Sequence, residues 1–473
     1  MSCCGERMPH GTELLWKFAL VTGLVMPGWM PLQALSSYAA ERTAGPDAAS
    51  LEEALRQSLP GDTVLLRPGV YRPIAITVSG KDGAPITIKA APGARPVFDG
   101  SLVPAAPGNS GWKHLRGQVW TAPCPTAPLT VIADDKVLPF VADPGALTEG
   151  SYSYAGGLVY VWCPGGGAPA ARGTGVLVYD RRPLVAVQGD WIVLDGILAR
   201  FSSGTGIAVT GKHCEVRNCE SKWSAGDGLR FNRPASIGRA VRNVVHHNFC
   251  NNFVRGARNS GWGYGLGTGA GVPDCEFIGN TSHHNNGEGL GCYNQSHRTV
   301  MRNNTVYDNW SVNIYIDSVE DCVVDGNMVF NTGRVPDPEL RRSRPIGIMC
   351  ADEVYRGGPY LRRLTVINNI VAGCQRGFSF SRWEGAMQGS VLKESLIANN
   401  TLVDNDIGIS LAETLDSTII ANNIVVQRNG KACVQAANRD VSAVIPQWRN
   451  NLFFGSDPGC FYWPGQEIGR AHV

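Results

Sequence analysis

The fold class this sequence predicts is all-β, a solenoid of short stacked coils, and three observations predict it. A six-residue phrase that opens and closes on Asn recurs along the chain, as Asn243 to Asn248, Asn280 to Asn285, Asn304 to Asn309 and Asn400 to Asn405. Its leading Asn also recurs alone, at Asn327, Asn369, Asn423 and Asn451, and uninterrupted copies lie 23 or 24 residues apart. The third observation is compositional: 57 of 473 residues are Gly, and with the paired Asn residues this is more turn-forming content than a helical bundle tolerates.

Each period contains an alternating strand before the Asn, a turn, and then a Gly-apolar-x-apolar strand such as Gly289 to Cys292, Gly347 to Cys350, Gly377 to Phe380 and Gly408 to Leu411. A coil this short cannot bury an apolar face alone, so coils must stack and share one core. An Asn at the same turn of every coil can hydrogen-bond to its copies above and below while tolerating a left-handed backbone. A leucine-rich repeat has a similar period but needs a Leu consensus and a helical half, which are absent here.

Taken in order, residues 1–40 read as an export signal. An apolar run from Phe18 to Leu35 follows Lys17 and precedes Ser37-Tyr38-Ala39, a small-x-small site suited to signal peptidase. Pro27 and Pro31 break the run below the length of a spanning helix, so the expectation is a cleaved signal and a secreted or periplasmic protein without stable membrane insertion. Residues 41–106 are expected to form a cap and the first coils, with an amphipathic helix from Leu51 to Ser58 closing the open end. Residues 107–190 interrupt the repeat and read as a β-rich insertion, with strands at Pro128 to Ala133 and Gly157 to Trp162. Repeats resume at Trp191 and run to 466. Residues 467–473 read as a non-native tail on a truncated chain, because Ile468 to Val473 is what a common sequencing adapter gives on translation.

Charge and cysteine content exclude several classes. The 42 Lys and Arg nearly cancel the 40 Asp and Glu, and 43% of the residues are hydrophobic against 17% charged. This argues against a disordered chain and against nucleic acid as a partner held by bulk charge. No nucleotide or organic cofactor is expected, and the chain is expected to be a monomer. Of the 14 Cys, Cys124 and Cys163 are the best candidates for a disulfide, whereas Cys214, Cys275 and Cys322 each open a similar strand and read as stacked buried thiols.

Three N-terminal stretches, Pro60 to Tyr71 (PGDTVLLRPGVY), Ala84 to Gly93 (APITIKAAPG) and Pro96 to Gly100 (PVFDG), resemble the opening coils of chondroitinase B and its alginate lyase relatives. With the Asn-marked repeat, the chain resembles the right-handed parallel β-helix superfamily of polysaccharide-active proteins. The resemblance implies that fold and a polysaccharide substrate. The lyase family's catalytic Lys and Arg pair has no clear counterpart, since the expected groove strands contain no Lys.

Side chains alternate along a strand, so the residues between and after the apolar positions of the Gly-apolar-x-apolar strands should face outward. Coil by coil these are Arg230 and Asn232; Tyr293 and Asn294; Asn313, Tyr315 and Asp317; Met349, Asp352 and Glu353; Ser379, Ser381, Arg382 and Glu384; and Ser410 and Glu413. Strand spacing of about 4.8 Å places Asp317 about 5 to 7 Å from Asp352 and Glu353, with Glu384 about 10 Å away. Such carboxylates either raise one another's pKa or recruit a cation. Each alone reads equally well as a solvated turn residue.

Two basic loops precede groove strands, one carrying Trp262 and the other Arg341, Arg342 and Arg344. Arg can grip an anionic polymer in bidentate fashion, and Trp262, Tyr293, Tyr315 and Trp383 can stack on sugar rings. A second constellation is the His246, His247, His283, His284, Tyr307 and Asp308 set, expected to stack in columns. His247, His284 and Asp308 are its metal or acid/base candidates, although a ladder of solvated repeat residues is the plainer reading.

Three functions fit. The first is a lyase cleaving a uronic-acid polymer, with Ca²⁺ held by Asp317, Asp352, Glu353 and Glu384 to neutralise the substrate carboxylate. Its base would be Arg382, a role implied by the pectate lyases that share the fold. The second is a glycoside hydrolase or epimerase working through paired carboxylates such as Asp317 and Glu353. The third is a binding or surface protein with no catalysis.

Overall fold

The computed structural model describes residues 39–103, 111–250, 263–333, 344–353, 361–380, 391–412, 414–428, 432–436, 446–455 and 461–462. The expected signal and tail, the loops with Trp262, Arg341 and Arg342, and Arg382, Trp383, Glu384 and Glu413 lie outside these residues.

Three long parallel sheets of 13, 12 and 12 strands run the length of the chain. Each coil contributes one short strand to each sheet. In one coil these are Glu276–Ile278, Thr281–His283 and Glu288–Tyr293, and each pairs in parallel with its counterpart in the next coil, Val300–Arg302, Thr305–Tyr307 and Val312–Asp317. The result is a right-handed parallel β-helix. Its interior is a single continuous column of apolar side chains, Ile88, Leu194, Val216, Phe277, Met301, Val324 and Val366 among them, all essentially inaccessible to solvent.

The Asn ladder forms as expected. Asn243, Asn280, Asn304, Asn327, Asn369, Asn400 and Asn423 each donate both the backbone N–H and the side-chain amide to Oδ1 of the next, at 2.9 to 3.0 Å. Each side-chain amide also donates to a carbonyl, as Asn304 does to Phe277. The left-handed position, however, belongs to the residue before each ladder Asn: Arg242, Gly279, Asn303, Gly326, Asn368, Asn399 and Asn422 have φ between 53° and 66°. The Asn pairs therefore divide the work, the first taking the left-handed turn and the second satisfying buried amides.

The trailing Asn of the phrase builds a second ladder. Asn248 donates to Asn285 and Asn285 to Asn309, again behind left-handed residues, His247, His284 and Asp308. Asn309 donates to Asn313, which is buried, so Asn313 points inward and not into the groove.

The cap helix spans Ala48–Arg56, with Asp47 accepting the Ser50 N–H at 2.7 Å and Leu51, Ala54 and Leu55 buried against the first coil. The insertion folds as a four-stranded and a three-stranded antiparallel sheet around its own core of Val131, Tyr152, Val159, Val161 and Val176. Cys124 and Cys163 lie in that core as free thiols, hydrogen-bonded separately to the Thr126 carbonyl and the Thr174 hydroxyl, and do not form the expected disulfide. The coils resume at Val185–Val187, which joins Ile74–Ile76 to Ile207–Val209. That strand precedes the expected Trp191 because it lacks the Gly that marks later groove strands.

Candidate active site

The groove lies on the sheet that runs through Leu229–Phe231, Tyr264–Thr268, Glu288–Tyr293, Val312–Asp317, Ile346–Ala351, Arg376–Phe380 and Ile407–Leu411. Its strands carry three outward columns. The middle one aligns Arg230, Gly267, Gly291, Tyr315, Met349, Ser379 and Ser410. Another aligns Tyr293, Asp317 and Ala351. A third column precedes the strand Gly: Tyr264 pairs with Glu288, Val312 with Ile346, and Arg376 with Ile407. Sequence reasoning missed this third column because it began each groove strand at the Gly. The signal was one residue upstream, in Tyr264-Gly265, Glu288-Gly289 and Arg376-Gly377.

Two glycines shape the floor. A Cβ placed on Gly267 or Gly291 would fall 2.8 and 2.3 Å from the Tyr264 ring, so that ring lies flat across both coils where any side chain would displace it. Tyr264, Tyr315 and Met349, with Tyr293 at the margin, form an apolar patch distinct from the solenoid core.

Carboxyl groups surround this patch. Asp317 is buried; its Oδ1 accepts from Ser318 Oγ at 2.8 Å, and Ser318 Oγ lies 3.4 Å from Asp352 Oδ1 and accepts the Glu353 N–H at 3.0 Å. Glu353, half-buried, accepts the Tyr315 hydroxyl at 2.5 Å. Burial, and next the charge of Glu353, push the Asp317 carboxyl up to about 8. Glu288, on the upstream side of the patch, is pushed up to about 8 by burial, with Glu353, Asp227 and Asp317 adding repulsion. Its Oε2 has no hydrogen-bond partner.

Two of the arginines are paired. Arg230 Nη1 donates to Asp227 at 2.8 Å and its guanidinium stands 5.8 Å from the Tyr264 ring centre. Arg344 is tied to Asp406 at 3.1 Å. Arg376, unforeseen, is half-buried in the groove with Nε unpartnered, and burial lowers its pKa. Asp227 and Arg230 also line a pocket of about 300 Å³ with Tyr179, Arg181 and Phe249, where the end of the insertion meets the groove.

Asp317, Asp352 and Glu353 are thus brought together. Among the described residues, the metal-capable group whose ligand atoms all lie within 4.8 Å of one another consists of His246, His247 and His283. Glu384, the fourth member of the expected Ca²⁺ set, lies outside the described residues. The histidine columns do form: His246 stacks on His283 and His283 on Tyr307, at 4.8 Å each, and His247 stacks on His284 at 5.2 Å. Asp308 is drawn away from the expected ligand role, its two oxygens accepting the Thr332 N–H and hydroxyl.

No family model matches the chain, and no curated protein matches its sequence. Solved structures do match. The complex of XylC with xylose aligns at 12% identity over 89% of this chain and 87% of that one, with a TM-score of 0.54. Alginate lyase from Paenibacillus sp. str. FPU-7 aligns at 12% over 88% and 99% with a TM-score of 0.47, and pectate lyase Pel9A at 15% over 82% and 78% with 0.43. At these identities a likeness speaks to fold alone, and the chemistry must be argued from the groove.

Proposed function

We propose that the chain is a carbohydrate-active enzyme that cleaves glycosidic bonds in a polysaccharide by carboxyl acid/base chemistry on this groove. One observation carries the reading: Asp317 and Glu353 sit on adjacent coils beside an aromatic floor, with burial and mutual repulsion favouring a proton on Asp317. A protonated carboxyl can donate to a departing glycosidic oxygen, and a second carboxylate held by a tyrosine can activate water or attack the sugar. Tyr293, half-buried at the margin of the patch, supplies a face for a sugar ring.

Lyase action is the second reading, favoured by Arg376. A guanidinium without a carboxylate partner in the groove can neutralise a substrate uronate, which makes the adjacent C–H acidic enough for elimination. A Ca²⁺ held by Asp317, Asp352, Glu353 and Glu384, with Arg382 as base, belongs to this second reading, Arg382 and Glu384 lying outside the described residues. Export of the enzyme, on the strength of the apolar N-terminal segment, belongs to the same proposal; among the described residues no helix is long and apolar enough to cross a membrane.

The test is incubation of the purified protein with neutral and acidic polysaccharides, reading reducing ends and the ultraviolet absorbance of unsaturated products together. New reducing ends without absorbance mean hydrolysis, and both together mean elimination. If no polymer yields either product while one binds tightly, the enzyme reading fails and a carbohydrate-binding scaffold replaces it.

A further inference from the structure

Behind the groove, at the turn after the strands Val244–His246 and Thr281–His283, four imidazoles gather from two coils. His246 and His247 approach Nδ1 to Nδ1 at 2.6 Å, and His283 and His284 repeat the arrangement at 2.8 Å. The two pairs are stacked coil on coil, with ring centroids 4.8 and 5.2 Å apart. The cluster owes its form to the second Asn turn. His247 and His284 take the left-handed position, which brings each ring edge-on to its predecessor on the strand.

The outer nitrogens have different neighbours. His246 Nε2 lies 3.3 Å from Glu220 Oε1, whereas His284 Nε2 lies 3.9 Å from Asp308 Oδ2, beyond hydrogen-bond reach. The Glu220 carboxylate favours the proton on Nε2 of His246 and leaves its Nδ1 bare, the outer-shell arrangement that orients histidine toward a metal. Trp223 covers His247 from the preceding coil at 4.6 Å, and its indole N–H is held by Asp135 of the insertion at 2.9 Å. One side of the cluster is therefore fixed by packing.

We infer that His246, His247 and His283, with His284 alongside, form a binding site for one divalent transition-metal ion of the zinc, copper or nickel class, separate from the groove chemistry. Tetrahedral coordination by imidazole at 2.0 to 2.1 Å needs nitrogens about 3.3 Å apart. The nitrogens here range from a 2.6 Å contact to no more than 4.8 Å within the three-histidine group, so the spacing is within reach, and the stacked His246 and His283 rings must tilt out of parallel to aim their lone pairs at one ion. All-nitrogen donors select against Ca²⁺ and Mg²⁺, which take oxygen. The site ties two coils to each other beside the insertion, a structural placement that does not depend on what the groove cleaves.

The experiment uses the full chain without a polyhistidine tag, titrated calorimetrically with Zn²⁺, Cu²⁺ and Ni²⁺. One equivalent of at least one ion should bind and raise the melting temperature. His246→Gln and His283→Gln should each weaken binding by more than about 100-fold, and Glu220→Gln by about 10- to 100-fold through lost orientation. X-ray absorption of the wild-type complex counts the imidazoles directly and needs no variant to fold; three or more support the site. Absence of saturable binding by all three ions, fewer than three imidazoles around the bound ion, or affinity unchanged in folded His246→Gln and His283→Gln proteins overturns it.

Discussion

The Tyr315 hydroxyl donates to Glu353 Oε1 at 2.5 Å across two adjacent coils, although 38 residues separate them in sequence. The bond fixes the outermost carboxylate of the groove next to Asp317, and it identifies Glu353 as the partner to which Asp317 is electrostatically linked. If these groups act as acid and base, Asp317→Asn and Glu353→Gln should each lower kcat by about 10²- to 10⁴-fold in protein that remains folded. Tyr315→Phe should cost less, since it leaves Glu353 present but less well held. Steady-state kinetics on the polymer identified in the product assay checks all three, and full activity in Asp317→Asn would remove this pair from the mechanism.

Asp317 and Glu288 also make a stability prediction with a definite sign. Both carboxyls are raised from ordinary values near 4 to about 8 by burial. Between those limits the folded state holds protons that the unfolded state has lost, so stability is greatest below the unfolded pKa and falls as pH rises toward 8. Denaturant titrations should show stability falling between pH 5 and pH 8 with a slope of up to about 1.4 kcal/mol per pH unit from each carboxyl. Asp317→Asn and Glu288→Gln should each flatten the slope. A slope identical to wild type in the double variant would show that neither carboxyl titrates in this range.

The ladders belong to the fold and not to the chemistry. Asn304→Ala removes an acceptor shared by two donors of Asn280 and a donor to the Phe277 carbonyl, leaving buried groups unpaired at a cost of about 1 to 3 kcal/mol. Asn285→Ala in the second ladder should cost a similar amount. Thermal melts test both, and the kinetic constants of either folded variant should stay near wild type.

The repeat could be read from the sequence because its period and its Asn residues are imposed locally by the backbone of each turn, coil after coil. Asp317, Tyr315 and Glu353 were legible for the same reason: strand alternation carries past the apolar positions and fixes which side faces out. Glu288 and Arg376 were not, because the strand bends at the Gly. The residue before Gly289 or Gly377 faces outward although simple alternation places it elsewhere. The partner of Arg344 was hidden for a different reason, since Asp406 lies 62 residues away in sequence and meets it only after coils stack.

Arg376 decides whether the substrate is charged. It stands in the groove column opposite Ile407, level with Ile346, and none of the described carboxylates pairs with it. A guanidinium held half-buried beside isoleucines is costly unless something anionic meets it, and an acidic polymer bound on this face would supply that charge. Hydrogen bonds to a charged group contribute about 1.5 to 3 kcal/mol. Arg376→Gln should therefore raise KM on a uronic-acid polymer by about 10- to 100-fold while kcat changes little, the pattern of lost uniform binding. On a neutral polymer the same variant should behave as wild type. Added salt should raise the wild-type KM on the acidic polymer and affect the variant less. If Arg376→Gln loses activity equally on both polymers, its guanidinium supports the coil and not the substrate, and a neutral glycan becomes the better assignment for this groove.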